Sequence, residues 1–190
     1  LQDSVTALSF TGSQAATFAG AVTISKTASG STTQILNLVN PVGTAGTGVR
    51  FWMSGTNTTT RGTFIDAVAE TTSNDHSLRF GTSAPSSAPT EKMRITSTGN
   101  VGIGTDSPSN YNSYADNLVV ADSAHSGISI ASGTTSLGTL MFADGTGGTA
   151  GYRGRVQYDH NTDSMNFHTA AAERMRITSA GNILVGGSND

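Results

Sequence analysis

Hydrophobic positions in this chain recur at every second residue in several short runs. Val156 and Tyr158 alternate with Arg155 and Gln157, and Met165 and Phe167 alternate with Asn166 and His168. Such a period of two predicts strands with one half-buried face. Asp159-His160-Asn161-Thr162-Asp163 between them is a cluster of turn formers, which makes the pair a β-hairpin. Met175 and Ile177 continue the alternation on a third strand. The same plan precedes it: Phe64-Ile65-Asp66-Ala67-Val68, a turn at Thr72-Ser73-Asn74-Asp75, then Leu78 and Phe80, then Met93 and Ile95. The third strand of this earlier set follows a longer loop containing Pro85 and Pro89.

The two sets belong to a repeat. Glu91 to Thr105 reads EKMRITSTGNVGIGT and Glu173 to Gly187 reads ERMRITSAGNILVGG, an offset of 82 positions (173 − 91). Upstream, Asn37-Leu38-Val39, Arg61-Gly62 and Leu78-Arg79-Phe80 precede the first copy. Asn117-Leu118-Val119, Arg153-Gly154 and Met165-Asn166-Phe167 precede the second in the same order. After each Met-Arg-Ile-Thr comes a tight reversal, Ser97-Thr98-Gly99-Asn100 or Ser179-Ala180-Gly181-Asn182, where Gly and Asn tolerate positive φ. Met93 and Ile95, like Met175 and Ile177, are expected to look inward. Arg94 and Arg176 lie between them, so alternation sends each to the other face. There they are expected to be solvated or to pair with a neighbouring chain's carboxylate.

This organisation gives an extended N-terminal strand segment at 1–33, a first β repeat unit at 34–108 and a second at 109–190. The first segment carries Ala21-Val22-Thr23-Ile24-Ser25; Ala15-Ala16-Thr17-Phe18-Ala19 could be helical but is too short to stand alone. The expected class is all-β with very little helix.

Composition explains how such strands can hold together. Hydrophobic residues are 35% of the 190, while Ser, Thr and Gly number 24, 29 and 23. Thr favours strands and Gly favours turns, but so few apolar residues cannot enclose a thick private core. Identical chains sharing a core would remove the deficit, so an obligate oligomer is expected. A net charge of −3 and ten Lys plus Arg spread without a basic run argue against nucleic acid as a partner. No stretch approaches the roughly 18 apolar residues of a membrane span, so no membrane insertion is expected. There is no Cys, hence no disulfide or thiolate chemistry. Leu1 is not a start Met, which suggests an excised part of a longer protein.

Catalytic motifs are not found. No Gly-x-Ser-x-Gly occurs. Gly43, Gly46 and Gly48, and Gly145, Gly147, Gly148 and Gly151, are not followed by the helix a phosphate loop needs, and read as flexible turns. His76, His125, His160 and His168 are scattered; Asp159, His160 and Asp163 are close but better read as a self-bonded turn than as a cation site. Asp66, Glu70, Asp75, Asp144 and Asp163 are read as acids lying mostly in or near turns, without the pairing that glycoside cleavage requires. No catalytic, cofactor or metal residue is assigned, and no cofactor is expected. Sugar contact needs aromatic faces among polar groups, which makes Trp52, Tyr111 and Tyr114 the ligand-binding candidates. Trp52, beside Phe51, also reads as packing or interface.

The phrase Met93 to Thr105, followed by Ser107-Pro108, resembles a motif abundant in phage tail fibres, many of which end in a self-cleaving intramolecular chaperone. Ala16 to Ser25 and Tyr158 to Phe167 also resemble strand segments of such fibres. The resemblance implies repeated β-hairpin units in an intertwined homotrimeric fibre, a virion and extracellular location, and a structural or receptor-binding, non-enzymatic part in host attachment. The partners it implies are two identical chains and a host polysaccharide or protein receptor. With only Lys26 and Lys92 as lysines and an end at Ser188-Asn189-Asp190, no chaperone domain fits. A polysaccharide-cleaving fibre or spike domain, and a bacterial adhesin or filament subunit, are the alternatives.

Overall fold

A computed structural model describes residues 38–40, 44–55, 60–72 and 75–186. The expected N-terminal strand segment at 1–33, the helical possibility at 15–19 and the turn residues Ser73 and Asn74 lie outside the described residues. What is described is β-structure, with two short 3-10 turns at Pro108–Asn110 and Gly148–Tyr152. The second of these falls where a flexible glycine turn was expected. The chain divides into two compact units, with the division between Val119 and Val120.

The first unit is built on a six-stranded sheet in sequence order: β1 (Gly48–Met53), β2 (Thr63–Ala69), β3 (His76–Thr82), β4 (Thr90–Ile95), β5 (Val101–Ile103) and β6 (Leu118–Val120). β1 to β5 form an antiparallel meander. The second is a five-stranded antiparallel meander of β7 (Leu137–Phe142), β8 (Gly154–Asp159), β9 (Ser164–Thr169), β10 (Ala172–Ile177) and β11 (Ile183–Val185). Each repeat motif supplies the fourth strand and the reversal into the fifth.

The reversal is the same in both copies. Thr96 N–H donates to Asn100 O at 2.9 Å, Gly99 N–H to Thr96 O at 3.0 Å, and Asn100 N–H to Thr96 Oγ1 at 3.0 Å. Thr178, Gly181 and Asn182 repeat all three at 3.0, 2.9 and 3.1 Å. Gly99 at φ +91° and Gly181 at φ +80° occupy the left-handed region that a Cβ disfavours. The motif's Thr and Gly are thus fixed by backbone satisfaction in a tight turn.

Register shows what each face holds. In the first sheet Phe51, Ile65 and Phe80 stand opposite one another, as do Phe80, Met93 and Ile103, and Leu78, Ile95 and Val101. In the second, Leu140, Val156, Phe167, Met175 and Val185 form one cross-strand row, and Tyr158, Met165, Ile177 and Ile183 another. Each sheet therefore carries one apolar face, and many of its members, including Phe51, Ile65, Leu78, Leu140 and Phe142, are exposed. Contrary to an inward-facing apolar set, the more deeply buried positions include Asp66, Ser77, Gln157, Ser164, Asn166 and His168, all on the opposite, polar faces. Polar side chains interlock there around the buried Phe64 and Val68 of the first unit, while in the second Ile128 and Ile130 lie beside Leu140, Val156, Tyr158 and Met165 on the apolar face.

Candidate functional surfaces

A bulge in the repeat motif sets the chemistry of the polar face. On β4 the register skips Lys92, so that Phe80 faces Met93 while Gly81 faces Glu91; on β10 it skips Arg174 in the same way. One extra residue reverses the alternation upstream of it. Glu91 is thereby brought onto the face of Arg94, and Glu173 onto that of Arg176. Arg94 donates to Glu91 through Nε at 2.6 Å and Nη2 at 2.9 Å, and Arg176 to Glu173 at 3.0 and 2.9 Å. Both are bidentate, charge-assisted pairs. The expected pairing of these arginines to solvent or a neighbouring chain is corrected accordingly: the bulge supplies a carboxylate from the same strand. Hydrogen bonding to Glu91 holds the Arg94 guanidinium above its ordinary range.

From Arg94 a row of charge crosses the first sheet. Arg94 Nη1 lies 3.8 Å from Glu70, which also accepts Ser97 N–H at 3.1 Å and so braces the reversal. Arg79 reaches Glu91 at 3.5 Å and donates to Asp66 through Nε at 3.1 Å. Arg50 completes the row, with Nη2 2.6 Å from Asp66. Asp66 is 3% exposed between two guanidiniums, and sequence reasoning missed it by grouping it with acids in or near turns. The available signal was its place between Ile65 and Ala67 inside an alternating run. Arg50 also covers the Phe64 ring, 3.8 Å from its centroid, a cation–π contact. Beneath that ring lies Gly81, where an added Cβ would come within 2.1 Å of Phe64 Cε1.

The second sheet repeats the row with neutral groups in the three places beyond the motif's arginine. Thr139, Gln157, Asn166 and Arg176 stand at the positions of Arg50, Asp66, Arg79 and Arg94. Ser164 Oγ donates to Asn166 Oδ1 at 3.1 Å. Next to this row His168 faces Arg155 on β8 and Glu173 on β10. Both imidazole nitrogens of His168, and Nε of Arg155, are buried without a hydrogen-bond partner among the described residues. Burial, then the adjacent Arg155, hold the His168 imidazole below the usual histidine range.

The aromatic candidates are not gathered into one site. Trp52 lies on β1, on the polar face, its ring against Gly62, where an added Cβ would stand 3.1 Å from Cε2. Phe51 beside it points to the apolar face. Tyr111 follows the Pro108–Asn110 turn beyond β5, and Tyr114, 96% exposed, stands three residues on. Four strand spacings separate β1 from β5, on the order of 19 Å. Tyr111 and Tyr114 thus share a loop that Asn112 shapes by accepting Tyr114 N–H at 3.0 Å.

At the turn 159–163, Asp159 accepts Asn161 N–H at 2.9 Å and Asp163 accepts the Tyr158 hydroxyl at 3.3 Å. Among the described residues no three His or carboxylate side chains are placed to hold a metal ion, and no helix is long and apolar enough to cross a membrane. No protein-family model matches the chain, and no curated protein matches it in sequence.

Proposed function

We propose that this chain is a structural and receptor-binding, non-enzymatic segment of a phage tail fibre, in which three identical copies join the apolar faces of their sheets about a threefold axis. The observation that carries the reading is the separation of chemistry between the two faces of each sheet. One face holds cross-strand rows of Val, Ile, Leu, Met and Phe; the other carries the ion pairs and the side-chain hydrogen bonds, with Phe64 and Val68 buried among them in the first unit. A large exposed apolar area is a usual mark of association, and each large side chain it covers contributes roughly 1.5 to 3 kcal/mol. The repeat motif resembling that of phage fibres supplies the virion setting. The carboxylates Asp66, Glu91 and Glu173 are each held by arginine, a structural use that supports a binding rather than a cleaving part. Tyr111 and Tyr114 are the receptor contacts this reading favours.

Fluorescently labelled protein incubated with susceptible bacteria tests it. The reading expects saturable binding that blocks phage adsorption, weakened by Tyr114→Ala, with host polysaccharide left at its original mass. Absence of binding to any susceptible strain would refute the attachment role, and lower-mass polysaccharide products would refute the non-enzymatic one.

A further inference from the structure

The loop that leaves β5 is fixed to its sheet at both ends. Gly102 of β5 lies under it: an added Cβ there would stand 2.6 Å from Thr105 O and 3.3 Å from Pro108 Cδ. Pro108 is fully buried. Asn100, the last residue of the reversal, is 9% exposed and donates through Nδ2 to Asp116 Oδ2 at 3.0 Å. Val101 N–H closes the far end on Asn117 O at 2.9 Å. Between these anchors Asn110 N–H bonds Ser107 O, Tyr111 N–H bonds Pro108 O and Ala115 N–H bonds Asn112 O, at 3.1, 3.1 and 2.8 Å. A loop so tied presents its side chains with little ordering left to be done on binding.

Between the start of this loop and β4 runs a groove of about 430 Å³, lined by Thr90, Glu91, Lys92, Gly104, Thr105 and Asp106. The bulge at Lys92 makes one wall. Gly104, at φ +74° and donating its N–H to Lys92 O at 2.9 Å, turns the chain into the other. None of the six carries an aromatic or apolar side chain. Glu91 is held by Arg94 and Arg79. Lys92 and Asp106, both exposed, are in no ion pair among the described residues and stand one on each wall; the Ser107 hydroxyl occupies one Asp106 oxygen, at 2.9 Å. A cationic ligand would meet Lys92, and an anionic one Asp106 and Glu91. An apolar ligand would strip water from these groups without replacing it. An uncharged ligand rich in hydroxyls suits both walls, because each hydroxyl can donate to a carboxylate and accept from an ammonium. We infer that this groove takes a sugar unit of an uncharged polysaccharide. The inference rests on the receptor-binding reading above and adds to it the class of receptor and the two side chains, Lys92 and Asp106, that select it.

Oligosaccharides released by mild acid from the surface polysaccharide of a susceptible strain, and separated by ion exchange into uncharged and acidic fractions, are the probes. Titrated into the intact chain labelled with nitrogen-15, the uncharged fraction should shift the amide signals of Gly104 and Thr105 and saturate. Lys92→Ala and Asp106→Asn should each weaken that binding by about tenfold or more, as loss of a hydrogen bond to a charged group does. Lys92 lies on β4, outside the loop, so its variant reads the groove even where Asp106→Asn loosens the loop. Binding of the acidic fraction alone, binding of neither fraction, or an unchanged affinity in Lys92→Ala overturns the inference. Adsorption of the labelled chain to cells separates the two claims. Cells bound equally by wild type and Lys92→Ala sink the groove alone; uncharged oligosaccharide held in the groove of a chain that adsorbs to no susceptible strain sinks the attachment reading alone.

Discussion

Asp66 and Gln157 occupy the same position in the two sheets: Asp66 stands between Arg50 and Arg79, and Gln157 between Thr139 and Asn166. One backbone plan thus carries an ionic row in the first unit and an amide row in the second. The consequences of removing the central residue differ accordingly. Asp66→Ala removes the buried carboxylate that both Arg50 and Arg79 contact and should destabilise the first unit by roughly 1.5 to 3 kcal/mol for each charge-assisted bond lost. Gln157→Ala should cost the second unit roughly 1 to 3 kcal/mol. Urea unfolding of the two variants checks the order, and equal losses would contradict it.

Acid should loosen the second unit through His168. Its folded imidazole titrates below the usual value of 6.5 because of burial first and Arg155 second, with Arg176 adding to the effect and Glu173 opposing it. The unfolded chain therefore takes up the proton first. The second unit keeps its full stability above about pH 6.5 and loses it as pH falls through the folded value. His168→Phe should flatten the decline measured by thermal unfolding between pH 7.5 and 5; an unchanged decline would assign it to another group.

The reversal hydroxyls should behave alike in both repeats. Thr96→Ala and Thr178→Ala each remove an acceptor of an Asn N–H and should cost about 1 kcal/mol apiece. Gly99→Ala and Gly181→Ala force a Cβ into the left-handed region and should each cost roughly 1 to 2 kcal/mol. Hydrogen exchange at the amides of Asn100 and Asn182 reads both effects locally.

Gly81→Ala should be among the most damaging small substitutions in the chain. Its Cβ would meet the Phe64 ring, which the Arg50 guanidinium also contacts. Overpacking of this kind costs roughly 1 to 3 kcal/mol, and the paired truncation Phe64→Leu with Gly81→Ala should recover part of the loss in a double-mutant cycle.

The central strands of both units were legible because their alternation is regular: Phe64 to Val68 and Leu78 to Phe80 in one, Val156 to Tyr158 and Met165 to Phe167 in the other. β1 and β7 were not, because Phe51-Trp52-Met53 and Leu140-Met141-Phe142 are unbroken apolar runs without a period of two. The partner of Arg94 was hidden for a different reason. Strict alternation places Glu91 with Met93, and only the bulge at Lys92 turns it to the arginine. Burial of Asp66 was concealed because strand pairing, which brings Arg50 and Arg79 to it from 16 and 13 residues away, leaves no local trace. The separation of Trp52 from Tyr111 and Tyr114 likewise depends on strand order, which composition does not encode.

The shared apolar face is the centre of the account, and mass in solution measures it most directly. Light scattering on the intact chain should give three times the 19.4 kDa chain mass, or a multiple of that trimer. Phe80→Glu, which places a charge in the middle of the apolar face, should reduce the mass towards that of one chain and expose protease-sensitive strands. A folded, stable wild-type monomer of 19.4 kDa would contradict the account.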